Sequence, residues 1–197
     1  DIEIDIINNS TNFYLRFDGK KEKFIINGAS GHSPLNAALS VATAIYCGCP
    51  LSNIKERLKF IDLPERRLAI SNSLRGSILI DDSYNSNPAS LKNAVDLLEG
   101  IKRKKICILG DMKELGTNSK KIHQEMYEYI SERVDQIFCI GDEWSTCNPN
   151  EKQDLSIFEN QDDLYSHLIS LIDKKTILLV KGSRSTRMDL LADKLKE

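Results

Sequence analysis

The chain has 197 residues, 41% of them hydrophobic, with 27 basic and 29 acidic side chains and a formal charge of -2. Charges of both signs are mixed along it, so no long-range field gathers polyanions and generic nucleic-acid binding is not expected. No stretch approaches the ~20 consecutive apolar residues of a membrane span, and a secretory leader's basic and apolar regions are missing from the opening residues. A cytoplasmic, membrane-free protein is therefore expected. The length suits one good-sized core with a smaller packed element beside it.

Asp1-Ile2-Glu3-Ile4-Asp5 alternates as a strand does, and reads as a strand already in mid-sheet. From Asn12 to Ile26 two β-rich runs flank Asp18-Gly19, a dipeptide suited to positive φ, which predicts a hairpin. Pro34 to Gly48 follows as an Ala-rich helix with proline in its first turn and glycine at its stop, and Ser52 is the expected cap of a second short helix reaching about Phe60. Five cysteines are an odd number and suggest free thiols rather than a disulfide framework. Cys47 and Cys49 have no second Cys/His pair at ligand spacing, so helix-end packing is expected of them and no metal site. Pro64, with the charged residues after it, marks a boundary between residues 1–64 and 65–197.

Beyond that boundary the rhythm becomes strand and helix in alternation, at Leu68–Ser71, Ser77–Asp81, Pro88–Glu99, Lys105–Leu109, Ser119–Ser131, Gln136–Ile140, Gln161–Asp173, Thr176–Val180 and Ser185–Lys196. This predicts an α/β fold, a Rossmann-like and mostly parallel sheet with helices on both faces. Four strands end in polar or glycine-bearing turns, and in an open α/β sheet ligands bind at that rim. The richest turn, Asp81-Asp82-Ser83-Tyr84-Asn85-Ser86-Asn87-Pro88, sets two carboxylates, hydroxyls and two amides before a helix. It suits a ribose, a hydrated cation or a phosphate, and it is equally readable as an elaborate helix cap. Asp111 is expected at the same rim, orienting a cation or an incoming amine, or else capping a loop. His123, His167 and Trp144 read as packing residues, and His32, at a loop-to-helix junction, as an orienting group.

The string at 81–88, then Leu109-Gly110-Asp111-Met112-Lys113-Glu114-Leu115-Gly116, then His123, then Val180-Lys181-Gly182-Ser183-Arg184-Ser185 resembles the Mur ligase family in order and spacing, in its branch that adds D-alanyl-D-alanine. Gly31-His32-Ser33-Pro34-Leu35-Asn36 is similar to the segment that closes the family's central ATPase domain, with Ser33 where an asparagine is usual. The resemblance implies that residues 1–64 end that central domain and 65–197 form the C-terminal domain. It implies ATP and Mg2+, with a UDP-N-acetylmuramoyl tripeptide and D-alanyl-D-alanine as substrates, joined through an acyl phosphate by a monomer.

Carried over by position, Asn36 contacts adenine, Arg67 (or Arg66 beside it) reaches the ATP phosphates, and Asp82 bonds the ribose, with Asn85 of the same turn on the nucleotide side. Asp111 and His32 fall nearest the chemistry. Lys181, Ser183 and Arg184 would hold the dipeptide carboxylate, a task suited to a guanidinium fork; Gly182 would admit the ligand's close approach, and cations at a helix start, opposed by its dipole, favour function there. The phosphate-binding loop and the uridine-nucleotide domain of the family are not in this sequence. Two rivals remain: another Mur-type or folylpolyglutamate-type ligase, and a non-catalytic nucleotide-sensing α/β module.

Overall fold

The computed structural model describes residues 2–5, 10–27, 33–61, 65–149 and 155–197. The chain forms two compact units, Asp1–Ile70 and Ser71–Glu197. Pro64, the expected boundary, lies outside the described residues.

In the first unit β1 (Ile2–Asp5), β2 (Ser10–Phe17) and β3 (Lys20–Asn27) make an antiparallel sheet in that order. Asp18 and Gly19 turn the hairpin with φ of 47° and 73°, the twist that two-residue hairpins prefer. Phe13 and Phe24 are directly paired across it, and their rings stack at 5.2 Å. With Ile26 they pack against Val41 of α1 (Ser33–Tyr46) and Ile54 and Leu58 of α2 (Leu51–Leu58). Gly48, at φ 81°, ends α1: its N–H donates to the Ile45 carbonyl and that of Cys49 to Ala44, a left-handed stop that glycine favours. That stop carries Cys47 and Cys49 into solvent, which overturns their expected packing. Ser52 is not a cap either, because α2 already begins at Leu51 behind Pro50.

The second unit is built on a six-stranded sheet of β4 (Ala69–Ser73), β5 (Ser77–Asp82), β6 (Lys104–Gly110), β7 (Gln136–Ile140), β8 (Leu155–Phe158) and β9 (Thr176–Lys181). Its order is β4-β5-β9-β6-β7-β8, and β5 through β8 run parallel across the sheet. Side chains alternate along each buried strand. Leu79, Ile106, Ile108, Leu178 and Val180 pack with α5 (Gln161–Leu171) and α6 (Met188–Leu195) in one core. Ile80, Cys107, Leu109 and Leu179, also buried, are the alternate residues of the same strands, and α3 (Pro88–Asp96) and α4 (Ser119–Ser131) adjoin β9 and β7.

The strand–helix alternation in the sequence contains no strand at β8, Leu155–Phe158. The last helix starts at Met188, after a short 3-10 turn at Arg184–Thr186 and a left-handed Arg187. The cations at 181 and 184 therefore do not sit in an α-helix N-terminal turn, and the dipole argument for them falls away.

Candidate functional site

Although last in sequence, β9 lies between β5 and β6. The chain leaves β6 for β7 on one side of it and returns from β8 through α5, so the carboxyl ends of β5, β9 and β6 surround the point where the winding reverses, the usual ligand crevice of such sheets. Asp82, Lys181 and the Gly110-Asp111 turn come from those three ends.

Consecutive residues of a strand face opposite ways, and the two aspartates of the turn meet different partners. Asp81, fully buried, accepts the Ser83 N–H at 3.1 Å and its hydroxyl at 2.5 Å through Oδ1, and the Lys196 ammonium at 3.0 Å through Oδ2. Asp82 is the cross-strand partner of Lys181, whose Nζ stands 2.5 Å from Asp82 Oδ2 and donates to the Asn85 carbonyl at 2.8 Å. Asn87 and Ser90 then cap α3 reciprocally, side chain to backbone in both directions, the capping-box arrangement at a helix start.

Asp111 is 2% exposed. Its Oδ1 accepts the Trp144 N–H at 3.3 Å and its Oδ2 is 2.9 Å from Lys113 Nζ. The carboxylate fills the space beside Gly141, where a Cβ would come within 2.2 Å of it at φ 133°, so glycine is required there. Bonding to Asp111 raises the Lys113 pKa above its ordinary 10.5. Asp111 was expected to meet a cation or amine; the structure gives it an ammonium of its own chain. His123 is buried on α4, accepts the Met112 N–H at Nε2 (3.1 Å) and faces the Ser119 carbonyl with Nδ1 (2.9 Å). That pairing makes Nδ1 the protonated nitrogen. Trp144, also buried, meets its ring edge-on and donates to the Gly110 carbonyl. Burial pushes the thiols of Cys107 and Cys147 up to about 12 and about 11, so both stay protonated.

Ser183 is buried too; its hydroxyl accepts the Lys113 N–H at 2.8 Å and its own N–H donates to the Asp111 carbonyl. The space beside Gly182 is taken by atoms of this chain. A Cβ there would stand 2.5 Å from Thr186 Oγ1, 2.7 Å from Met188 Cγ and 3.1 Å from the Gly110 Cα, so its smallness lets two strand ends and a turn of this chain meet. Arg184 remains open at 62% side-chain exposure, 3.8 Å from Asp189 and 6.0 Å from the ring of Tyr84, itself exposed. Sequence reasoning missed this pairing and the Lys196 contact.

In the first unit, Asn36 is exposed in the first turn of α1 and Arg67 is exposed beside a half-buried Arg66 at φ 59°. Leu68 is also left-handed, at φ 54°. His32 lies outside the described residues. Among the described residues no group of three or more His, Cys, Asp or Glu is placed to hold a metal ion.

A doubly wound parallel sheet with charged groups at its winding reversal is an α/β architecture whose rim is the usual place for a ligand. Residues 66–184 match the family model described as Mur ligase, glutamate ligase domain, and the chain belongs to the Mur ligase family. It is 37% identical over 169 residues to a UDP-N-acetylmuramoyl-tripeptide--D-alanyl-D-alanine ligase of Buchnera aphidicola subsp. Acyrthosiphon pisum, spanning 82% of this chain and 36% of that protein. It is 33% identical over 173 residues to the Haemophilus influenzae protein of the same name, spanning 84% and 37%. The chain thus spans little more than a third of the curated relatives' length. The crystal structure of a MurF ligase from Thermotoga maritima in complex with ADP superposes with a TM-score of 0.82 at 22% identity, over 94% of this chain and 43% of that one, a likeness of fold.

Proposed function

We propose that this chain is the C-terminal part of an ATP-dependent ligase of peptidoglycan precursor synthesis, joining D-alanyl-D-alanine to a UDP-N-acetylmuramoyl tripeptide. The observation that carries the reading is the gathering of Asp82 and Lys181 at one winding reversal, with exposed Arg184 three residues along, in a chain 37% identical to a relative of that name. Asp82 takes the ribose hydroxyls of ATP, with Asn85 on the same turn. Asn36 takes the adenine and Arg67 the phosphates, with Arg66 as its alternate. Arg184 holds the dipeptide carboxylate, and Asp111, Ser183 and Lys113 fix the loops beneath it. His32 keeps the orienting role its sequence position suggests.

ATP supplies the phosphoryl group that activates the tripeptide carboxylate for attack by the dipeptide amine. The residues here suit a ribose at Asp82, and no metal cluster is present among the described residues. Binding and charge placement do the rest, without a protein nucleophile. The protein works in the cytoplasm as a monomer.

The test is phosphate release by the full-length protein with ATP, muramoyl tripeptide and D-alanyl-D-alanine, with the product identified by mass. Release that needs both acceptor and dipeptide supports the reading. Turnover with glutamate in place of the dipeptide would move it to the folylpolyglutamate type, and nucleotide binding without turnover to the sensing module. The 197-residue chain alone is expected to be inactive.

A further inference from the structure

Lysine is seldom fully buried unless paired, yet Lys181 is 2% exposed at the end of a central strand. Its ammonium spans to the neighbouring strand's last residue, Asp82, at 2.5 Å, and onward to the Asn85 carbonyl at 2.8 Å. It thereby ties two points of the turn to β9. Asp82 keeps 12% side-chain exposure where Lys181 keeps 2%, so of the two buried side chains the aspartate is the one nearer solvent. A dipeptide carboxylate approaching the rim would meet Arg184, at 62%.

We infer that Lys181 is a positioning residue for the nucleotide side of the site: it fixes the Asp82 carboxylate and the Asn85 carbonyl, and does not hold the dipeptide. This rests on Asp82 being the ribose acceptor, as proposed above. An ionised carboxylate offers acceptor sites only. With one oxygen pinned by the ammonium, the side chain meets a pair of ribose hydroxyls without losing rotamer freedom on binding, and pre-ordering of this kind raises affinity. The same ammonium keeps Asn85, and so the segment leading into α3, at a set distance from β9.

The test is the Michaelis constants of the full-length protein for ATP and for D-alanyl-D-alanine in Lys181→Met, Asp82→Asn and the double variant. Lys181→Met should raise the constant for ATP about tenfold, the fold-change of one charge-assisted hydrogen bond, and leave that for the dipeptide within about twofold. Added to Asp82→Asn it should change little more, because it acts through that carboxylate and contacting residues are not additive. A rise for the dipeptide alone, or independent effects of the two substitutions, overturns the inference. Removing the ammonium strands a buried carboxylate and threatens folding, so the wild-type protein supplies a second measurement. With 15N-labelled lysine, the Lys181 ammonium signal should shift when ADP is added and stay in place with D-alanyl-D-alanine; no response to ADP, or a response to the dipeptide alone, overturns the inference. A protein that answers to ADP but joins another acceptor would sink the proposed substrate and leave this positioning role standing.

Discussion

Asp81 and Lys196 are 115 positions apart and meet at 3.0 Å, so the end of the chain holds the turn that carries Asp82. Ser73, whose hydroxyl donates to the Leu195 carbonyl, and the isolated bridge between Ser73 and Lys196 bring that end to β4. Lys196→Met should therefore lower stability. Breaking a fully buried pair costs several kcal/mol; here Asp81 keeps the Ser83 donors and Lys196 is partly exposed, so about 1–2 kcal/mol is expected by urea unfolding. The pH dependence has a definite sign. Desolvation is the largest single influence on the Lys196 ammonium and lowers its pKa, but the combined pull of Asp81 and Asp193 outweighs it and leaves the pKa above its ordinary 10.5. A raised lysine contributes fully below the unfolded value and loses its contribution as pH rises through the folded one. The gap between wild type and Lys196→Met should be constant near neutrality and shrink only above about 10.5; a gap that closes near neutral pH would place the effect elsewhere.

Gly182→Ala asks whether that glycine serves the fold or a ligand. The added methyl would overlap Thr186 Oγ1, itself bound to the Ser183 carbonyl at 2.6 Å, and press on the Gly110 backbone. Overpacking of this kind costs about 1–3 kcal/mol, so the melting temperature should fall even without substrates. Unchanged melting with weakened ligand use would mean the site of close approach is the ligand after all.

On the function proposed above, Arg184→Ala in the full-length protein should weaken use of D-alanyl-D-alanine by about 2 kcal/mol, the loss of a charged hydrogen bond, with ATP and the muramoyl tripeptide used nearly as before. Arg184→Lys should recover only part, since the two-point contact is gone. Its exposure predicts little change in unfolding. Equal weakening of all three substrates would point to a defect in closing the site.

The sequence by itself determined the α/β class, the hairpin at Asp18-Gly19, the limits of α4 and β7, and the rim, because periodicity, turn chemistry and capping are local. It could not place β8, four residues behind a polar stretch, too short for alternation to register. It put Asp82 and Lys181 on one edge but could not make them neighbours, since strand order follows from which faces the crossovers cover, a property of the whole sheet. Nor could it separate the cations: Lys181 and Arg184 look alike as letters, and only packing buried one against Asp82 and left the other in solvent. The same holds for Gly182 and Asp111, whose neighbours Gly110 and Gly141 come from other segments. Tertiary contacts decided what each charged group touches, because an ion pair or a steric fit depends on atoms brought together from distant parts of the chain.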